Sequence, residues 1–170
     1  VPFTALQMLW VNIIMDGPPA MTMGVDPPKR GIMGQRPRAP GAAILTLNRL
    51  SVLMLHGFVM AAGTLITLAV ADDHGGRAHA LTMAFTVFVL FQIFNALCAR
   101  SEFDSVFRRD TFTNPKLWIA LGAVLVLQIG AVHWGPLERL FEMVSLTATD
   151  WLIAVAVASS LLWVHEIRVA

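Results

Sequence analysis

Leu9-Trp10-Val11-Asn12-Ile13-Ile14-Met15-Asp16-Gly17-Pro18-Pro19-Ala20 is a largely apolar run that nevertheless carries an amide, a carboxylate and a Gly-Pro-Pro break. In water these features would be commonplace, but at membrane depth each is expensive. Asn12 and Asp16 stand at i and i+4, so on a helix they share one face, about 6 Å apart along the axis. Pro18 and Pro19 lack an N–H and free carbonyls about one turn earlier, near Ile14 and Met15. Unpaired backbone in the hydrocarbon layer survives only beside protein, water or an ion. A carboxylate, an amide oxygen and freed carbonyls form an all-oxygen set suited to a hard cation such as Ca²⁺ or Mn²⁺. A Ca²⁺ site takes about six to eight oxygens, so other helices must supply the rest. The same Asn and Asp can instead satisfy the kink by hydrogen bonding. An intramembrane carboxylate favours the ion site.

The rest of the chain supports a membrane setting. Of 170 residues, 56% are apolar and 14% charged, and the mean hydropathy is +0.68, far from the composition of a soluble domain. A single cysteine, Cys98, excludes an internal disulfide and reads as packing. The chain opens Val1-Pro2-Phe3 with no charged leader, and we expect it to be a piece of a larger product.

Spanning about 30 Å of hydrocarbon takes roughly 20 residues. Runs that qualify are Thr4–Val25, Ile44–Val70, Ala80–Ala99, Leu117–Trp134 and Trp151–Val164. Basic residues alternate between the connections. Lys29, Arg30, Arg36, Arg38 and Arg49 follow the first span, and Arg100, Arg108, Arg109 and Lys116 follow the third. The connection Asp72–His79 has only Arg77, and Gly135–Asp150 has only Arg139. The positive-inside rule then puts the N-terminus outside and the C-terminus in the cytoplasm. Pro136–Met143 has helical spacing suited to a short interfacial helix, and Asp150 is a candidate cap for the last span. Trp134, Trp151 and Trp163 fall near expected interfaces. Gln92 and Asn95 put a second polar patch in the third span, readable as a site or as interhelical hydrogen bonding. His56, His74, His79, His133 and His165 show no transition-metal spacing on one helix, and His56 reads as an interhelical contact, with a titrating group as the alternative.

Leu6-Gln7-Met8-Leu9-Trp10-Val11-Asn12, Met15-Asp16-Gly17-Pro18-Pro19-Ala20 and Gly24-Val25-Asp26-Pro27-Pro28 together resemble the sixth transmembrane helix of type II P-type cation ATPases. Within that group they are most similar to secretory-pathway Ca²⁺/Mn²⁺ pumps and bacterial relatives. Pro27–Arg38 resembles the family's loop between helices six and seven, which in relatives contacts the phosphorylation domain. A basic anchor against anionic lipid is the plain alternative. Asn95-Ala96-Leu97 resembles the eighth helix. In the sarcoplasmic-reticulum type a glutamate stands where this chain has Gln92 and a threonine where it has Met15. The resemblance therefore implies one surviving ion site, similar to the family's second site, in which Asn12 and Asp16 bind the metal. Secretory-pathway pumps have a glutamine just after Pro-Pro-Ala. Met21 in its place, a poor ligand for hard cations, favours Ca²⁺ over Mn²⁺.

The expectation for residues 1–170 is thus an all-α polytopic helical bundle of about five transmembrane helices, the first broken at Gly17-Pro18-Pro19. Its expected role is the membrane part of an ATP-driven cation pump. Ca²⁺, with Mn²⁺ as the alternative, is the transported ion, and no residue is assigned to catalysis. ATP and Mg²⁺ would act only through domains absent here, because the chain has no phosphate-cradling loop and no phosphorylation motif. The implied partners are the N-terminal part of the same pump, with helices one to five and the cytoplasmic domains, and the lipid bilayer. Nucleic acid is not expected. A non-catalytic membrane remnant or scaffold, or a pump for another cation, are the alternatives.

Overall fold

The structure, a computed structural model, describes residues 3–26, 34, 45–101 and 104–170. The basic stretch Pro27–Arg38, residue 34 aside, and Ile44 lie outside them.

The first segment starts at Thr4, whose hydroxyl accepts from Gln7 N while Gln7 Oε1 accepts from Thr4 N, a reciprocal cap. Helix α1 (Ala5–Trp10) passes into a π-helical stretch, Val11–Asp16, and then into α2 (Gly17–Gly24). The break expected at Gly17-Pro18-Pro19 therefore takes the form of a wide turn just ahead of it. Trp10 and Gly17 keep right-handed helical dihedrals, so the axis is distorted without unravelling. The physical reason is the missing donors: Pro18 and Pro19 cannot close the bonds that would hold a regular turn.

Next come α3 (Leu47–Gly75), α4 (Arg77–Arg100), a 3₁₀ turn at Arg109–Phe112, α5 (Pro115–His133), α6 (Gly135–Phe141) and α7 (Ala148–Val169). Among the described residues α3, α4, α5 and α7 are long and apolar enough to cross a membrane. The segment Asp72–His79, expected as a connection, is nearly all helix. Only Gly76, with φ 79°, a value natural to glycine, separates α3 from α4. Asp150 does not cap α7. Thr147 does, and Asp150 is its reciprocal partner three residues on. The helix thus starts before Trp151.

Two sets of contacts define the ends of the bundle. At one end Gln7 Nε2 donates to Phe141 O at 3.0 Å, and His79 Nε2 meets Asp150 Oδ2 at 3.1 Å. At the other, Asp26 meets Arg100, Val106 N donates to Glu166 at 2.7 Å, and His165 approaches Asp104 O. Helix α4 is the centre: 67% of its most apolar window is buried, against 22% for α3 and for α7. On one side Phe91, Val87 and Leu90 pack with Met60, Leu117, Ala158 and Leu161. On the other Phe85 and Val89 pack with Met15, Val124, Val132 and Phe141. Ala154 and Ala158 are fully buried, the small side chains that let membrane helices approach closely.

Candidate cation site

The segment from α1 to α2 has one face against the bundle and one away from it. Gln7, Met15 and Pro19 are buried, with Trp10, Val11 and Ile14 packed against the second cluster. The Trp10 indole lies 4.9 Å from the Phe141 ring, edge to face. Asn12 and Asp16 lie on the opposite face, both exposed, alongside Met8, Leu9, Ile13 and Met21. A π turn takes slightly more residues than an α turn, so positions i and i+4 remain on one side.

Asn12 is fixed by its own helix. Its Nδ2 donates to Met8 O at 2.9 Å, which commits the nitrogen and turns the amide oxygen away from that carbonyl. Asp16 precedes α2 without capping it by its side chain. The first segment therefore presents an amide oxygen and a carboxylate, one above the other, on a face otherwise made of apolar side chains. A lone carboxylate on such a face is costly in hydrocarbon unless another element covers it or a cation neutralises it. Among the described residues no three His, Cys, Asp or Glu side chains converge.

Gln92 and Asn95 are half-buried on α4, and Asn95 faces His56 across the seam with α3. His56 and His165, distant in sequence, bring their rings to 5.8 Å. Trp151 Nε1 donates to His133 Nε2 at 3.1 Å. Cys98 is buried and free, as its apolar run suggested.

Sequence reasoning missed a cluster at the far end of α2. Arg100 reaches Asp26 with both Nε, at 2.8 Å, and Nη2, at 3.1 Å. Asn114 Nδ2 donates to the same carboxylate at 2.9 Å and to Thr22 O at 3.1 Å. Asp26 and Arg100 lie 74 positions apart, and no local pattern links them.

The family model described as cation transporting ATPase, C-terminus, matches residues 1–170. The chain is 40% identical over 168 residues to calcium-transporting ATPase 1 of Schizosaccharomyces pombe, covering 98% of this chain and 19% of that protein. Calcium-transporting ATPase type 2C member 2 of Rattus norvegicus is 34% identical over 168 residues, covering 98% of the chain and 18% of that protein. Type 2C member 1 of Homo sapiens is 35% identical over 167 residues, again 98% and 18%. The chain thus spans less than a fifth of the length of these relatives. With a match from its first residue to its last, and a bundle of apolar helices to go with it, this multi-pass membrane chain belongs to the cation transporting ATPase C-terminal family.

Proposed function

We propose that this segment is the membrane part of an ATP-driven pump that carries Ca²⁺ through a single intramembrane site, with Asn12 and Asp16 among its ligands. The observation that carries the reading is the pairing of an amide oxygen and a carboxylate on the exposed face of a π-distorted, otherwise apolar helix. Relatives named as calcium-transporting ATPases support the choice of ion. Asp16 provides the charge, Asn12 a neutral oxygen held in register by Met8, and carbonyls near the wide turn add further oxygens. Ligands from the preceding helices of the same pump complete the set, and ATP with Mg²⁺ acts on domains outside the segment.

The basic residues support an orientation. Arg100, Arg108 and Lys116 fall at the same end of the bundle as Asp26, whereas Gln7 and α6 are at the other. The Asp26 end is then cytoplasmic and the N-terminus outside. In a bacterial cell the membrane would be the plasma membrane.

The test is Asp16→Asn in the full-length pump, which keeps the shape and removes the charge. Ca²⁺-dependent phosphorylation and Ca²⁺ uptake into vesicles should require at least about tenfold more Ca²⁺, equivalent to about 1.4 kcal/mol. Running Ca²⁺, Mn²⁺ and K⁺ in turn reads the ion preference. Unchanged uptake by the variant overturns the assignment.

A further inference from the structure

We propose that Asp26, Arg100 and Asn114 form a latch that sets the register of the Asn12–Asp16 face and so tunes its affinity for the cation. The proposal rests on the reading that Asp16 is a ligand, and its members are positioning residues, because they bond at the end of α2 and not to the cation face itself.

The argument starts from distance along the helix. Asp26 follows Asp16 by ten residues, about 15 Å along the axis if helical throughout. There Arg100 grips the carboxylate through two nitrogens, the planar fork that suits a carboxylate best. Arg100 Nη2 also donates to Thr113 Oγ1 at 2.9 Å, and Asn114 holds both Asp26 and the Thr22 carbonyl. The ion pair is sheltered, with the Arg100 side chain 9% and the Asp26 side chain 26% exposed. One carboxylate therefore ties the end of α2 to the end of α4 and the start of α5.

The opposite end of the same segment is also tied, through Gln7 Nε2 to Phe141 O. Between these two ties lies the π-helical stretch Val11–Asp16. A π turn closes i→i+5 where an α turn closes i→i+4, so its backbone has a neighbouring register within reach. Moving to it turns α2 against α1 by about 100° and shifts it by about 1.5 Å, the step of one helical residue. With both ends held, that step is blocked. Release the Asp26 end, and α2 can slip so that Asp16 no longer stands over Asn12. The latch therefore acts on geometry at a distance.

The experiment uses the full-length pump and measures Ca²⁺-dependent phosphorylation from ATP across a Ca²⁺ titration. Phosphorylation from inorganic phosphate without Ca²⁺ serves as the folding control. Arg100→Gln should raise the half-saturating Ca²⁺ concentration roughly tenfold, a typical coupling factor between linked sites, while the maximal signal and the phosphate control are kept. Arg100→Lys, which keeps the charge and loses the fork, should fall between. Asn114→Asp keeps an oxygen for the Leu117 N–H that Asn114 now caps, yet sets a second carboxylate against Asp26, and should act in the same direction. Asp26→Asn combined with Arg100→Gln should be no worse than either change alone. If Arg100→Gln and Asn114→Asp leave half-saturation unchanged while Asp16→Asn raises it, the latch is wrong and the site stands. A parallel fall of the maximal signal and the phosphate control makes the cluster merely structural and likewise overturns the proposal. If Asp16→Asn itself has no effect, the fault lies in the site.

Discussion

The packing of α3 against α4 makes a quantitative claim at Gly63. A Cβ added there would lie 2.7 Å from Phe91 Cζ, 2.8 Å from Phe91 Cε2 and 3.4 Å from Val157 Cγ1. Carbon atoms prefer about 3.5–4.0 Å, so the phenyl ring would have to retreat by at least about 0.8 Å. Phe91 has no exposed surface and sits in the main cluster, so the ring has nowhere to go without moving its neighbours. Overpacking of this kind costs about 1–3 kcal/mol. Alanine is favoured over glycine inside a helix by about 0.8–1.0 kcal/mol. Burying the new methyl adds little, because lipid is as apolar as the protein interior. Gly63→Ala should therefore lose roughly 0–2 kcal/mol. Gly57, on the same helix, has nothing within 4 Å of its added Cβ, and Gly57→Ala should gain up to about 1 kcal/mol. The assay is the unfolding midpoint of the full-length protein in detergent micelles, with the two variants side by side. Replacing Phe91 by Leu in the Gly63→Ala background should recover part of the loss, so that the pair is less than additive. Equal midpoints for Gly63→Ala and Gly57→Ala would refute the close approach of α3 to the Phe91 ring.

Two further predictions concern helix ends. Glu142 closes α6 with φ 54° and ψ 40°, a left-handed conformation that costs a side-chain-bearing residue about 1–2 kcal/mol, so Glu142→Gly should raise the unfolding midpoint by a comparable increment. Thr147 caps α7 reciprocally with Asp150; Thr147→Ala should destabilise by about 1 kcal/mol, whereas Thr147→Ser should be close to neutral in the same measurement.

Hydropathy located α3, α4, α5 and α7 because each must be apolar over a bilayer's thickness, but it does not mark where a helix ends. An apolar run stops where lipid stops, while a helix stops where its last donors and acceptors are met. Hence α3 continues through Asp72, Asp73 and His74 to Gly75. Likewise α7 begins at Ala148, where Thr147 and Asp150 close the cap. That cap was visible in principle as a threonine followed three residues later by an acid. The shared face of Asn12 and Asp16 was legible because four residues make just over one turn of an α-helix. Gln7 was not, since its role is to reach a carbonyl 134 positions away. The Asp26–Arg100 pair and the His56–His165 contact join segments distant in the chain, and a single sequence carries no signal for such pairings. Further ligands for the proposed site were out of reach for a different reason: the Asn12–Asp16 face of the first segment points away from the other described helices.

The single-residue separation between α3 and α4 bears on how the two helices are joined. Gly76 is all that parts them, and Arg77 Nη1 reaches back across it to Asp72 Oδ2 at 3.1 Å. So short a bend leaves no separate loop: the polar residues Asp72, Asp73, His74, Arg77 and His79 all sit on the two helix ends. The two helices are therefore coupled as one tight hairpin, and a reporter tag placed at Gly76 would interrupt the single residue that joins them.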